Sequence, residues 1–271
     1  MNVSSQYPSK IVCLTEESVE TLYLIGKQDL IKGVSAFVKR PVEAQKLPKV
    51  SFFTSSNYKK IIEIKPDLIL GHSDIQKDIA RDLIELGQSV FIANHRSIEG
   101  ILQYIQMLSN LVDGKEEGQK LVQQCQTKIA RAKELTKNLH RKPRIYFEEW
   151  DKPLISGIQW VSELIELCGG VNVFKHNSNK LLAKDRFIEH ADIITANPDI
   201  IFACWCGKKV DIKSIKARAS YEQINAIKNN RVYELAPEIF LQPGPAPLIA
   251  GLDILINYIQ EFNDGVCNES T

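Results

Sequence analysis

From Asp113 to His140, apolar residues recur on a polar background at steps of mostly three and four: Leu121, Val122, Cys125, Ile129, Ala132, Leu135 and Leu139. That spacing predicts one long helix carrying a single apolar stripe. Asp113, with Glu116 three residues on, has the form of a capping box at its start. Arg141, Lys142 and Pro143 stop it. A helix of this length spans on the order of 40 Å at about 1.5 Å per residue.

On both sides of this helix the pattern switches to short apolar runs alternating with amphipathic stretches. Before it, KIVCL (10–14), IKGVSAF (31–37), LILG (68–71) and SVFIA (89–93) read as strands. TEESVETLYLIG, YKKIIEI, SDIQKDIARDLIELG and SIEGILQYIQMLSNLV read as helices between and after them. After it, RIYF (144–147), IIFAC (200–204) and RVYEL (231–235) are strands, and EEWDKPLISG reads as a loop. WVSELIEL, residues 221–227 and residues 248–262 are helices, and the polar tail beyond Asn263 is expected to fray. Pro66-Asp67 and Pro198-Asp199 each introduce a strand, so the two halves share an element. Alternation of strand and helix predicts mostly parallel sheets. The expected class is α/β: two Rossmann-like lobes, residues 1–112 and 143–271, joined by one long rigid helix over 113–142, with a ligand cleft between them.

Composition narrows the function. The 271 residues hold 34 Lys and Arg against 33 Asp and Glu, a net charge of +1, which provides no broad electrostatic footprint for nucleic acid. No apolar run is long enough to insert in a membrane. The first ten residues, MNVSSQYPSK, lack a basic and an apolar leader region, so a cytoplasmic location is expected, or a periplasmic one if a leader has been trimmed. The six cysteines, at 13, 125, 168, 204, 206 and 267, lack the spacing of a disulfide framework. Cys204-Trp205-Cys206 has no second pair to complete a zinc site, and no metal site is expected.

In open α/β sheets ligands gather at the carboxyl ends of strands. Here those ends bring Arg40, His72, Asp74, Arg96, Glu148, Trp150, Trp205, Cys206 and Lys208 together, and Trp160 follows the EEWDKPLISG loop. Flat indoles and directed donors suit a large planar ligand with many polar groups. Lys184 and Arg186 lie in LLAKDRF, a segment read as a loop able to fold over the cleft. The chain has no G-x-S-x-G, no HExxH, no phosphate-binding glycine-lysine loop and no dinucleotide fingerprint after its first strand. Glu148 or Glu149 as acid and base, with Cys206 as nucleophile, form the enzymatic alternative. Neighbouring residues of an extended chain face opposite ways, so one glutamate at most faces a ligand.

Taken together, KIVCLTEESVETLYLIG, LIKGVSAF, KPDLILG with HSDIQKDIARDLIELG, the long helix, FEEWDKPLISGIQWVSELIELCGG, NPDIIFACWCGKK and LQPGPAPLIAGLDIL resemble the helical-backbone metal receptors. These are the class III substrate-binding proteins of iron-siderophore and cobalamin ABC importers, and the cobalamin-binding group is the most similar. The resemblance implies a non-catalytic protein that holds cobalamin, another corrinoid or a related chelate such as a siderophore or haem as ligand, with no cofactor required. It places His72 where an aromatic residue faces the corrin, or where its imidazole ligates cobalt; Phe37 and Pro243 complete the expected binding residues. It also implies an importer permease as partner, docked through an exposed glutamate on each lobe. The corresponding positions here offer Lys77 and Asp78 in the first lobe and mainly basic residues from Lys208 to Arg218 in the second. The alternatives are an enzyme or processing protein on the same scaffold, and the binding component of an importer.

Overall fold

The computed structural model describes the backbone of residues 6–269 and side chains from 6 to 265. Met1 to Ser5, the start of the segment read above for a leader, lie outside the described residues, as do the last two residues of the tail. The chain divides into two compact units: residues 1–95, 99–125 and 242–246, and residues 96–98, 126–241 and 247–271.

Unit 1 begins with β1 (Ile11–Cys13), α1 (Glu16–Leu24), β2 (Ile31–Ser35) and β3 (Lys49–Ser51). It continues through α2 (Tyr58–Ile64), β4 (Leu68–His72), α3 (Lys77–Glu85), β5 (Val90–Ala93) and α4 (Ile98–Leu111). The sheet is parallel, in the order β3-β2-β1-β4-β5. Ile11, Val12 and Cys13 are completely buried, as expected of a central parallel strand covered on both faces. The chain lays β2 and β3 to one side of β1, then returns to lay β4 and β5 on the other. The topological switch point therefore falls between β1 and β4.

Unit 2 repeats the plan with a difference. Its elements are β6 (Arg144–Asp151), β7 (Leu154–Ser156), α6 (Gln159–Leu167), β8 (Val171–Asn172), α7 (Lys175–Ser178) and α8 (His190–Ala196). β9 (Ile200–Ala203), α9 (Ile212–Lys216), α10 (Asn225–Lys228), β10 (Val232–Glu234), α11 (Pro237–Phe240) and α12 (Leu252–Glu269) complete it. Sheet order is β10-β9-β6-β7, with β8 pairing the first residues of β6. Its switch point lies between β6 and β9. EEWDKPLISG is not a loop: β6 runs on to Asp151 and returns antiparallel as β7, with Trp150 opposite Ile155. Three-residue β7 is too short to announce itself by alternation. The polar tail also stays helical, since α12 reaches Glu269.

The long helix, α5, runs from Lys115 to Thr136. At about 1.5 Å per residue its 22 residues span roughly 33 Å. Asp113 does not cap it: at φ 57° it lies in the tight turn after α4. Leu121, Cys125, Ala132 and Thr136 form its buried stripe, whereas Leu135 is exposed. Near its start, a Cβ on Gly118 would lie 2.3 Å from the Ser109 side chain, so only glycine allows α4 and α5 to approach this closely.

The repeated Pro-Asp element has a physical role in each unit. The Asp67 carboxylate accepts from Lys10 N at 2.9 Å and from Ser9 N and Oγ at 2.8 and 2.9 Å. Asp67 N in turn donates to Lys10 O. Asp199 does the same one unit on: it accepts from Arg144 N at 3.0 Å and Arg141 Nη2 at 2.9 Å, while its own N donates to Arg144 O. Each aspartate thus clasps the chain entering the neighbouring central strand. Asp199 is buried and Asp67 exposed. Asp199→Ala is expected to destabilise the protein by about 2–3 kcal/mol, and Asp67→Ala by about 1 kcal/mol, because hydrogen bonds to charged groups count for more when desolvated. Urea unfolding of the two variants checks that order.

Candidate functional site

In unit 1 the switch point is built by Gln76, a fully buried amide. Its Oε1 accepts from His72 N at 3.0 Å, and its Nε2 donates to Leu14 O at 3.3 Å and Phe53 O at 3.4 Å. One side chain therefore joins the ends of β1 and β4 to the turn after β3. Gly71 makes room for it, since a Cβ there would lie 2.5 Å from Gln76 Oε1.

His72, at the end of β4, is nearly buried. Its Nε2 lies 3.1 Å from His95 O, and its ring meets that of His95 edge-on at 4.9 Å. His95 stacks on Tyr104 at 4.7 Å and sets Nε2 at 2.6 Å from Pro243 O. Pro243 thus enters as a backbone acceptor. Beyond it, Gly244 packs on α1, where a Cβ would lie 2.7 Å from that of Glu17. Glu17 is buried, and burial pushes its carboxyl up to about 7 against the pull of a 2.5 Å hydrogen bond from Thr15 Oγ1. Phe37 stacks on Phe53 at 4.5 Å, and Phe52 approaches its edge at 5.9 Å. Phe52 is exposed, so this cluster presents aromatic surface to solvent. Arg40 pairs with the buried Glu20 at 3.0 Å. Asp74 is exposed in the turn that follows His72.

Unit 2 sorts the remaining expected residues into two groups. Four are interior. Trp160 is in the core, its Nε1 donating to Phe240 O at 2.8 Å. Glu148 is fully buried and takes a bidentate pair from Arg218 at 2.5 and 2.9 Å, together with Tyr146 Oη and Trp205 Nε1, each at 3.2 Å. Trp205 is buried as well. Arg186 is buried in a bidentate pair with Glu149, so LLAKDRF is fastened to the body instead of hanging as a free loop. The antiparallel bridge from Phe187 to Ile155 holds it too. As alternation predicts, Glu148 and Glu149 point to different partners.

The second group lies at the surface. Lys208 Nζ sits 4.5 Å from the Trp150 ring centroid and 4.6 Å from that of Trp205, with Asp151 Oδ1 at 2.6 Å. Trp150 is half-buried and anchors its Nε1 on Lys152 O. Cys206 is half-buried, Lys184 exposed and Arg96 half-buried. Trp150, Trp205 and Lys208 stand at the ends of β6 and β9, the switch point of this sheet. Among the described residues no group of three or more His, Cys, Asp or Glu is placed to hold a metal, and no helix is long and apolar enough to cross a membrane.

Sequence reasoning passed over Phe52, Phe53, Gln76 and Arg218. The two phenylalanines follow β3, a strand of three residues with no periodic signal. Gln76 sits inside a helical pattern and reads as a polar surface position. Arg218 lies 70 residues from the carboxylate it neutralises.

A model of the periplasmic binding proteins matches residues 11–239. The chain belongs to the periplasmic binding protein family. It is 24% identical over 258 residues to a vitamin B12-binding protein of Vibrio parahaemolyticus, covering 94% of this chain and 90% of that one. It is 26% identical over 260 residues to an uncharacterised ABC transporter substrate-binding lipoprotein of Bacillus subtilis, covering 93% and 80%. Among solved structures, a possible iron-binding periplasmic protein of Staphylococcus epidermidis superposes with a TM-score of 0.79 at 25% identity, over 94% of this chain and 99% of that one. The two α/β units with mostly parallel sheets are those of this periplasmic binding protein fold, and the named relatives give no support to a cytoplasmic location.

Two measurements follow from the buried charges. Arg218→Ala leaves Glu148 charged and unpaired in the interior and should cost about 3–5 kcal/mol, whereas a double Arg218→Met, Glu148→Leu variant should lose much less. Denaturant titration of the single and double variants makes that comparison. Glu17 ionises near 4.5 when unfolded and near 7 when folded, so stability falls as pH rises between those values and stays lowered above them. Glu17→Gln should flatten that slope and be the more stable form, relative to the wild type, at about pH 8.

Proposed function

We propose that this chain is a non-catalytic receptor for a planar metal chelate, with a corrinoid such as cobalamin first among the candidates. The observation that carries the reading is the aromatic lining of the strand ends in a chain matched over 94% of its length by a vitamin B12-binding protein. Phe37, Phe52 and Phe53 form a stacked cluster in unit 1, and Trp150 offers a half-buried indole at the switch point of unit 2. Such faces hold a large ring by packing. Phe37, Phe53 and His72 of unit 1 and Trp150 and Lys208 of unit 2 are the proposed contacts, with Asp74, Arg96, Lys184 and Cys206 as further polar candidates. Arg40 has a second duty in its pair with Glu20. Glu148, Trp160, Arg186 and Trp205 support the face from within.

The enzymatic alternative is weakened by the same geometry. Glu148 and Glu149 are each committed to an arginine, which leaves neither of these two carboxylates poised for proton transfer. His72 Nε2 lies against a carbonyl, so cobalt ligation through that atom requires breaking the contact. The relationship to an ABC transporter lipoprotein supports a role outside the cytoplasm, delivering ligand to a membrane transporter.

Calorimetry and visible spectroscopy with hydroxocobalamin, an iron siderophore and haemin test the proposal. Saturable binding of one of them is expected, with a shifted absorption band. Phe37→Ala should weaken it about tenfold, which corresponds to about 1.4 kcal/mol of stacking. If none of the three gives heat or a spectral change, the reading fails.

A further inference from the structure

A cavity of about 630 Å³ lies beside β3, the edge strand of unit 1, two strands away from the β1/β4 switch point. A volume of this order accommodates a small molecule. Its charged lining is entirely basic: Lys49, Lys59 and Lys60 border it together with Ser55, Ser56 and Asn57, and no carboxylate does. None of these three lysines makes an ion pair among the described residues. Lys49 reaches only the carbonyl of Ala44, at 3.4 Å. The buried Ser56 Oγ has no hydrogen-bond partner. Tyr58 Oη, also at the rim, is turned to Asp82, which is itself paired with Arg81.

The whole chain, these three lysines included, carries a net charge of only +1. Three uncompensated ammonium groups around one concavity repel each other and raise the local potential for anions. An oxyanion in such a concavity accepts charge-assisted hydrogen bonds from more than one ammonium group. We infer that the Lys49–Lys59–Lys60 cavity, which shares Phe52 with the edge of the phenylalanine cluster, is a second binding site, selective for a multivalent phosphate group. It does not depend on the identity of the chelate.

The group belongs either to a free phosphate compound or to a phospholipid head, and two probes separate them. Inorganic pyrophosphate is titrated by calorimetry at low salt, and vesicles of phosphatidylglycerol are compared with neutral phosphatidylcholine vesicles by sedimentation. Saturable pyrophosphate binding assigns a soluble ligand, and binding only to the anionic vesicles assigns a headgroup. In either case the affinity should fall at least about tenfold in Lys59→Met/Lys60→Met, whose positions are exposed and tolerate the change. It should fall similarly in Lys49→Met and weaken as salt is raised from about 50 to 200 mM. Lys120→Met, on exposed α5 surface, should bind as the wild type does. No binding to either probe, or equal binding by wild type and the lysine variants, overturns the inference.

Discussion

A carboxylate placed one residue after a proline sets the geometry of both units. In both units the residue before the proline, Lys65 and Asn197, takes the left-handed conformation that closes a helix. The proline, which has no N–H to donate, does not resume it, so the chain turns into the next strand. The aspartate that follows then accepts the backbone N–H of the residue entering the central strand, Lys10 in one unit and Arg144 in the other. Its own N–H returns the bond to the same residue's carbonyl. The parallel pairs β1/β4 and β6/β9 are thereby registered at their starts. Every strand-end residue downstream inherits its position from that register, since a slip of one residue turns each side chain to the other face. His72 and Trp205 face where they do because Asp67 and Asp199 fix where their strands begin.

The carboxyl ends are stiffened differently in the two units. Unit 1 uses a neutral amide, Gln76, and a chain of rings from His72 through His95 to Tyr104. Unit 2 uses full charges, with Arg218 and Arg186 each forked onto an interior glutamate. Bidentate guanidinium pairs impose direction as well as attraction. They hold Trp205 from below through Glu148, and its outer face meets Lys208. The Lys208 ammonium is thereby framed by two indoles, Trp205 and Trp150.

Much of the architecture was legible in the sequence because it rests on local rules. Apolar runs, glycine stops and the Pro-Asp repeat place β1, β2, β4, β5, β9 and β10 and the helices α1, α2, α4 and α6 within two residues at each end. By contrast, β3, β7, β8 and the short helices α7, α8, α9 and α11 carry too few residues to show a period. The failures have physical causes. α5 starts later than its apparent capping box because Asp113 is needed, with φ positive, to turn the chain sharply out of α4. Trp160 and Trp205 looked like ligand contacts because an indole serves equally to fill a core and to stack on a ring, and composition does not distinguish the two. Glu148 and Arg186 looked available because their partners are remote in sequence. The aromatic cluster was half visible: Phe37 follows a clear strand, whereas Phe52 and Phe53 follow one of three residues.

Gln76 also has a mechanical consequence. A side-chain amide offers a donor end and an acceptor end a fixed distance apart, and here both ends are engaged with backbone. The end of β4 and the turn bearing Phe53 are therefore linked by a short tether with almost no slack. A displacement at His72 is passed to the phenylalanine stack, and pressure on the stack is passed back. Unit 1 thus holds His72 and the phenylalanine stack as a single mechanical piece.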